Sequence, residues 1–240
     1  MPDSIEIISP ASSIGPRRLL VVAGALIVAA GGAACDKSTA PVPVPAAVKA
    51  EVNDTQSVQV GVELSAPLSV KVLDASGQPV VGTLVTFSST GGGAFGESSV
   101  TTNDSGLAVT AFTAGTVAGT DTITARDSSA TPAVLYVTAM AGPPTLITAT
   151  SGDQQTGAAG STLPQPLVVK ATDQFGNAVA GAAVTWTTTG AGSFGAPSGV
   201  TGTNGLIQTT FTLDAAAGAQ TVTAAIAAAS LAVTFTETGT

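Results

Sequence analysis

Apolar and polar residues alternate along the chain from about residue 48 onward, as in SVKVLD at residues 69–74. A period of two puts alternate side chains on one face of a β-strand, so Val85 and Phe87 of VTF fall together. The same reasoning predicts burial for Ile123 and Ala125, and for Leu135 or Tyr136. Further alternating segments are LAVTAF, TDTITA and VLYVTA, then LVVKATD, VTW, LIQTTF, QTVTAA and LAVTFT. No segment joins a helix cap to an amphipathic 3.6-residue period, so the pattern predicts an all-β fold.

Turn residues separate these segments. Asp74-Ala-Ser-Gly77 suits a type I turn, because Asp is favoured at its first position and Gly at its fourth. Asn103-Asp-Ser-Gly106 is a second predicted turn. The segment GGGAFG at residues 91–96 is rich in glycine, and we expect it to form a loop that Phe95 pins to the core.

The stretch from Pro67 to Ala125 recurs, 99 positions later and without a gap, from Pro166 to Ala224. The repeat preserves turn residues and aromatic positions alike, and a period of about a hundred residues is the size of one β-sandwich domain. The sequence therefore predicts two tandem immunoglobulin-like (Ig-like) sandwiches, module 1 at residues 48–141 and module 2 at residues 142–240. Ala141-Gly-Pro-Pro144 is the stiff boundary between them. Trp186, at the position of Phe87, is interpreted as a core anchor.

The two modules share an order of motifs, which occurs in residues 74–125 and again in residues 173–224. It consists of D-x-x-G-x-x-V-x-G-x-x-V-T-[FW], then a Gly-rich segment with Phe, then G-x-x-T-[IV]-T-A. This order resembles the bacterial Ig-like group 1 (Big-1) domains of the intimin and invasin family. The resemblance implies disulfide-free sandwiches that serve as stalks or adhesive surfaces at the bacterial envelope. The chain has neither the β-barrel anchor nor the lectin-like tip of that family, so adhesion is less firmly implied than the fold.

The first 34 residues are interpreted as a leader and signal peptide. Arg17 and Arg18 precede an apolar segment at residues 19–30, a pattern typical of general secretion. The following GGAAC resembles the lipobox of bacterial lipoproteins, which predicts lipidation of Cys35, the single cysteine. Gly32 stands where that family has Leu, so ordinary cleavage after Ala34, leaving a free thiol, is the alternative. Residues 35–47 then form the lipidation site and a Pro-rich, extended linker.

Composition narrows the function classes. Charged residues make up 9% of the chain, 15 acidic and 7 basic, and the basic ones are scattered, which argues against nucleic-acid binding. The chain contains no His, so Ser-His-Asp and Cys-His catalysis are excluded and the usual zinc ligands are missing. We predict a protein without catalytic activity, cofactor or resident metal.

Seven aspartates stand singly at predicted turns or strand ends, where the side chain usually caps neighbouring amides: Asp74, Asp104, Asp121, Asp127, Asp153, Asp173 and Asp214. Calcium needs six to eight oxygen ligands, so a site between the modules would require Asp127, Asp153 or Asp173 to converge. Paired carboxylates acting as acid and base would require a concave pocket that joins two of them.

Two functions follow from the sequence. The first is a non-enzymatic stalk or adhesion module, anchored in the bacterial envelope by lipid on Cys35, in the outer membrane or at the cell surface. The alternative is a binding module for a glycan or a protein partner. Seven Phe, one Tyr and one Trp are few for an aromatic sugar platform.

Overall fold

The structure is a computed structural model that describes residues 42–51 and 55–240. Within these ranges the fold is all-β, apart from one 3₁₀ turn at Ala227–Ala229. No helix in these ranges is long and apolar enough to span a membrane.

The strands of module 1 are β1 (Pro45–Ala50), β2 (Thr55–Gln59), β3 (Leu68–Asp74), β4 (Leu84–Ser89), β5 (Ala94–Phe95), β6 (Ser99–Thr101), β7 (Leu107–Thr110), β8 (Phe112–Thr113), β9 (Gly119–Arg126) and β10 (Ala133–Met140).

Module 1 is an Ig-like sandwich of two main sheets. One has the strand order β1-β3-β7, and the other has the order β2-β10-β9-β4-β6. β5 and β8 form a separate two-stranded ladder. All of these pairings are antiparallel except the one between β10 and β2, which is parallel.

Module 2 repeats this plan strand for strand. Its strands are β11 (Leu146–Ser151), β12 (Thr156–Gly157), β13 (Leu167–Thr172), β14 (Ala183–Thr188), β15 (Ser193–Phe194), β16 (Ser198–Val200), β17 (Leu206–Thr209), β18 (Phe211–Thr212), β19 (Gly218–Ile226) and β20 (Leu231–Gly239). The sheet orders β11-β13-β17 and β12-β20-β19-β14-β16 match those of module 1, as does the small β15-β18 ladder.

The period-two pattern predicted the buried faces correctly. Val85, Ile123 and Leu135 have no exposed surface, and Phe87 is 3% exposed. Tyr136 points outward, because it neighbours the inward-facing Leu135 on β10. The buried residues form a separate apolar cluster inside each sandwich, and the two main clusters share no residue within the described ranges.

Aromatic rings connect the small ladders to the cores. Phe95 lies 5.9 Å from Phe87 and 5.0 Å from Phe112, between ring centroids. In module 2 the Trp186 ring is buried and lies 6.5 Å from Phe194 and 5.8 Å from Phe235. Trp186 is therefore a core anchor, as predicted.

Some local predictions were wrong. Strand β1 begins at Pro45, within the stretch predicted as linker. β1 is the edge strand of its sheet, where a proline removes no essential ladder hydrogen bond. The predicted loop at 91–96 contains strand β5, which holds Phe95. LAVTAF does not form one strand, because β8 leaves the β3-β7 sheet to pair with β5.

Candidate functional site: the junction between the modules

The turn that follows β13 begins at Asp173 and ends at Asn177. The Gly176 N–H donates to the Asp173 carbonyl over 3.0 Å, and the Asp173 N–H donates to the Asn177 carbonyl over 3.0 Å. Gly176 has φ +84°, a left-handed conformation that glycine adopts without a steric penalty. The sequence D-x-x-G thus folds locally into a compact turn at the end of module 2 that faces module 1.

The Asp173 carboxylate is buried, 3% exposed, and both of its oxygens accept hydrogen bonds. Oδ1 accepts from the backbone N–H groups of Phe175 and Asn177, each over 2.9 Å. Oδ2 accepts from the Gly142 N–H and from Nδ2 of Asn177, each over 2.9 Å. Burial raises the pKa of Asp173, but these hydrogen bonds, above all the one from the Asn177 side chain, outweigh burial and hold the pKa below its ordinary value.

Asn177 carries the connection across to module 1. Its Nδ2 donates to the Thr116 carbonyl over 2.8 Å, and its Oδ1 accepts from the Ala118 N–H over 2.8 Å. Thr116 and Ala118 belong to the loop between β8 and β9. Both ends of one amide therefore bind backbone groups of the neighbouring module, while Asp173 holds the same amide in place.

Phe175 adds an apolar contact beside this amide. A Cβ placed on Gly61 of module 1 would lie 3.5 Å from Cζ of Phe175, so the ring lies directly against the Gly61 backbone. Gly61 has φ +73° and donates its N–H to the Gly115 carbonyl over 3.1 Å. A larger residue at Gly61 would be strained and would meet the ring.

The connecting segment is itself held on the module 2 side. Gly142 is buried and donates to Asp173, while the Thr145 N–H donates to the Thr172 carbonyl over 2.9 Å. The paired prolines, Pro143 and Pro144, lie between these two anchoring points. The segment predicted as a stiff boundary thus has hydrogen bonds at both of its ends.

Module 1 has the same turn without the residues that make the junction. Asp74 Oδ1 accepts from the N–H groups of Ser76 and Gln78, as its counterpart does in module 2. Ser76 occupies the position of Phe175, Gln78 that of Asn177, and both are exposed. The repeat therefore differs at the two positions that contact the other module.

This difference between the turns of the two modules is the sequence signal that could have indicated the junction residues. The sequence identified Asp173 as a turn residue, but Phe175 and Asn177 were not recognised as junction residues. A departure from the repeat at two positions of one conserved turn indicates a local role that only one copy has.

The aspartates considered for calcium do not converge. No group of three or more His, Cys, Asp or Glu residues with metal-binding geometry occurs in residues 42–51 and 55–240. Asp127 accepts from Ser129 and Ala130 of its own loop, and these hydrogen bonds lower its pKa despite some burial. Asp153 accepts from Thr236, and Asp173 is occupied by N–H donors.

Asp121 differs from the predicted turn aspartates because it lies within β9 and is buried. Its oxygens accept from Oγ of Ser89 over 2.6 Å and from the Gly91 N–H over 2.7 Å. Its role is to satisfy the amides of the Gly-rich loop. In module 2, Asp214 does this for Ala191, and hydrogen bonds from Ala191 and Ala216 lower its pKa.

Glu237 is a buried carboxyl group on β20, at a position that the alternating sequence pattern alone does not distinguish. Its Oε2 accepts from the Gln155 N–H over 2.8 Å, and its Oε1 has no hydrogen-bond partner among the described residues. Burial, aided by the negative charge of Asp153, raises the pKa of Glu237 to about 7. The side chain has no exposed surface, so a substrate at the protein surface does not reach it.

Residues 147–237 match the family model of the bacterial Ig-like domain (group 1). The match covers most of the second module and less than half of the chain. The first module shares the sequence repeat and the strand order of the second, so the fold of the group 1 Ig-like domain occurs twice in the chain.

Comparison with solved structures finds InvD of Yersinia pseudotuberculosis, 20% identical with a TM-score of 0.53, over 81% of this chain and 57% of that one. FdeC of Escherichia coli is 22% identical over 80% of this chain and 63% of that one, with a TM-score of 0.46. InvE of Yersinia pseudotuberculosis is 20% identical over 80% of this chain and 58% of that one, with a TM-score of 0.37. The likeness to InvD is one of fold. A search of curated proteins gave no match.

The aromatic residues of the two Ig-like modules are almost all committed to packing. Trp186 and six of the seven Phe side chains lie in or against the two cores, and Phe175 contacts module 1 at the junction while remaining 42% exposed. Tyr136 is exposed on β10. A sugar platform built from several aromatic rings is therefore not present on the described surface.

Cys35, the predicted lipidation residue, lies outside the described residues.

Proposed function

We propose that this chain is a non-enzymatic, envelope-anchored spacer in which two Ig-like modules are held in a fixed relation and act as a cell-surface stalk or adhesion module. The junction formed by Asp173, Phe175 and Asn177 carries the proposal. A protein that only needed two independent binding modules would not require specific side-chain contacts between them.

The contacts at the junction act against bending. The two hydrogen bonds of the Asn177 amide contribute on the order of 1 kcal/mol each. Bending would also remove the Phe175 ring from Gly61 and expose the Asp173 carboxylate to water. Domains of one chain usually move relative to each other unless their interface is large and hydrophobic. Here we assign the restriction of motion to the specific contacts of these side chains.

Anchoring is assigned to Cys35, and the Pro-rich segment that follows it is assigned the role of a spacer between the lipid and module 1. Several acyl chains on one cysteine bind a bilayer firmly, because each buried CH₂ contributes about 0.8 kcal/mol. We assign the protein to the bacterial cell envelope, in the outer membrane or at the surface.

Mass spectrometry of the mature amino terminus tests this anchoring. We expect an acylated Cys35 as the first residue, and loss of lipid labelling in Cys35→Ala. A mature chain cleaved after Ala34 that carries a free thiol would contradict the lipid anchor.

Distance measurements between spin labels test the spacer function. In a Cys35→Ala background, labels are placed through Glu97→Cys in module 1 and Thr187→Cys in module 2, both exposed positions. We expect a narrow distance distribution that becomes at least twice as broad in a Phe175→Ala, Asn177→Ala double variant, while the fluorescence of the buried Trp186 is unchanged.

The matched control is Ser76→Ala with Gln78→Ala, the same turn positions in module 1, which should leave the distribution narrow. A broad distribution in the unmodified junction, or one that the double variant does not change, would contradict a fixed spacer.

A further inference from the structure

The surface of module 1 that contacts module 2 is formed by residues 59–61, 115–118 and 140–141, here called the distal surface of module 1. It offers Asn177 two backbone groups, the Thr116 carbonyl and the Ala118 N–H. It also offers the Gly61 backbone to the Phe175 ring. Recognition therefore depends on main-chain groups and on the space above one glycine, with little dependence on side chains.

The same surface is built a second time at the corresponding end of module 2, from residues 158–160, 214–217 and Thr240. Gly160 takes the place of Gly61, with φ +76° against +73°. The Gly160 N–H donates to the Asp214 carbonyl over 2.8 Å, as Gly61 donates to Gly115. The Ala159 N–H donates to the Thr240 carbonyl over 3.0 Å, as Val60 donates to Met140 over 2.9 Å. We call this the distal surface of module 2.

The recognition groups are present there. Ala215 and Ala217 stand where Thr116 and Ala118 stand in module 1, so their carbonyl and N–H groups correspond to the two that bind Asn177. Both alanines are exposed, whereas Ala118 is half-buried. A Cβ placed on Gly160 would meet only Ala215 Cα, at 3.9 Å, so the place that the Phe175 ring fills over Gly61 is open.

We propose that the distal surface of module 2 is a docking surface for a further Ig-like module in series, one that carries an Asp-x-Phe-Gly-Asn turn like that at residues 173–177. The Asn amide of that turn would bind the Ala215 carbonyl and the Ala217 N–H, and its Phe ring would lie over Gly160. The argument for this occupant is that the equivalent surface in the same chain already holds such a turn.

The turn of module 1 is a poor occupant by comparison. It carries Ser76 and Gln78 in place of the Phe and Asn, so it offers neither the ring nor an amide of the same reach. The turn at residues 173–177 of a second copy is already engaged with its own module 1. The surface is therefore matched to a separate module rather than to a second copy of this chain.

The proposal goes beyond the spacer function, which concerns only the contact between modules 1 and 2. Its test is a fusion in which a copy of residues 141–240 follows Thr240 of the full chain. Spin labels are placed through Thr187→Cys in module 2 and the same substitution in the added module, in a Cys35→Ala background. We expect a distance distribution as narrow as that between modules 1 and 2.

Two variants of the fusion test the assigned contacts. Replacing the added module's turn by Asp-Ala-Ser-Gly-Gln, the turn of module 1, should broaden the distribution at least twofold. Gly160→Asn should do the same, because Asn tolerates the left-handed backbone and its side chain fills the place of the ring. Circular dichroism and Trp fluorescence check that each variant is folded.

The proposal would be overturned by a broad distance distribution between module 2 and the added module in the unmodified fusion. A narrow distance distribution that neither variant broadens would also overturn it. If the distance distribution between modules 1 and 2 is narrow while that between module 2 and the added module is broad, the proposed docking surface is wrong and the proposed spacer function stands. Sedimentation of the chain without the fusion should show a monomer. Concentration-dependent association abolished by Gly160→Asn would identify a second copy as the occupant and overturn the proposed one.

Discussion

Single buried polar residues hold loops together in both sandwiches. Thr102 and Thr201, at equivalent positions of the two modules, each connect two loops. The Thr201 hydroxyl donates to the Val179 carbonyl over 2.6 Å and accepts from the Ala182 N–H over 2.9 Å. Thr102 does the same with Val80 and Thr83. Buried hydroxyl groups of this kind substitute for missing backbone pairing.

Glu237 is the residue from which we expect a pH dependence. Its folded-state pKa of about 7 lies above the ordinary value of 4.5, so the folded state binds a proton that the unfolded state releases between these values. Module 2 is therefore expected to lose stability as pH rises from about 5 to 7, by roughly 1–3 kcal/mol. Urea unfolding followed by the fluorescence of Trp186, the only Trp, measures this at pH 5 and pH 8.

Glu237→Gln should remove most of this pH dependence and make module 2 more stable than the unmodified protein at pH 8. Gln keeps the acceptor for the Gln155 N–H and carries no charge. Glu97→Gln, at an exposed position, is the matched control and should leave the pH dependence intact. Equal stability of the unmodified protein at both pH values would contradict a raised pKa.

At the scale of strands and loops, the Gly-rich segments are fixed by what packs over them. A Cβ placed on Gly192 would lie 2.5 Å from Cζ of Phe211, and the corresponding distance at Gly93 to Phe112 is 2.1 Å. These glycines let the small two-stranded ladders lie directly on a buried Phe ring. Close packing of an aromatic ring against backbone leaves no room for a methyl group.

Gly192→Ala is therefore expected to destabilise module 2 by about 2–3 kcal/mol, because the rigid Phe211 ring must shift within a packed core. Urea unfolding monitored by Trp186 fluorescence gives the change in free energy. Gly202→Ala is the control, since its Cβ would lie 3.3 Å from Oδ1 of the exposed Asn204 side chain and 3.7 Å from the Leu206 carbonyl oxygen, and we expect a change below about 1 kcal/mol. A loss at Gly192 no larger than at Gly202 would contradict the packing argument.

The strands could be predicted from the sequence where one face is buried. Val70 and Val72 alternate with Lys71 in β3, and the repeat supplied the same pattern for Val169 and Ala171 in β13. The edge strand β1 could not be predicted in this way, because its start at Pro45 contradicts the usual preference of strands. The division between β7 and β8 depends on tertiary pairing with β5, which local patterning does not encode.

At the scale of the whole molecule, the repeat predicted the two Ig-like sandwiches but not how they are joined. Asn177 reaches residues about 60 positions earlier in the chain, so no local period reveals the contact. The buried Asp173 illustrates the same limit. Its D-x-x-G turn was predicted, but its hydrogen bond to Gly142 depends on the path of the connecting segment.

The junction should weaken in acid. Because its hydrogen bonds hold the pKa of Asp173 below the ordinary value, ionised Asp173 stabilises the folded junction above about pH 4. This stabilisation is lost as pH falls through the lowered folded-state pKa. Distance distributions between spin labels in the two modules should therefore broaden progressively as pH falls below the ordinary Asp pKa of 3.8, while the fluorescence of Trp186 reports whether module 2 remains folded.

Asp173→Asn tests the same contact at neutral pH. An Asn amide that accepts from Phe175 would direct its NH₂ group at two other donors, the Gly142 N–H and Nδ2 of Asn177, and this mismatch costs about 1–3 kcal/mol. We expect the distance distribution between the modules to broaden at pH 7. Asp74→Asn, in the exposed turn of module 1, should leave it narrow. An unchanged distribution in Asp173→Asn would mean that the carboxylate does not hold the junction.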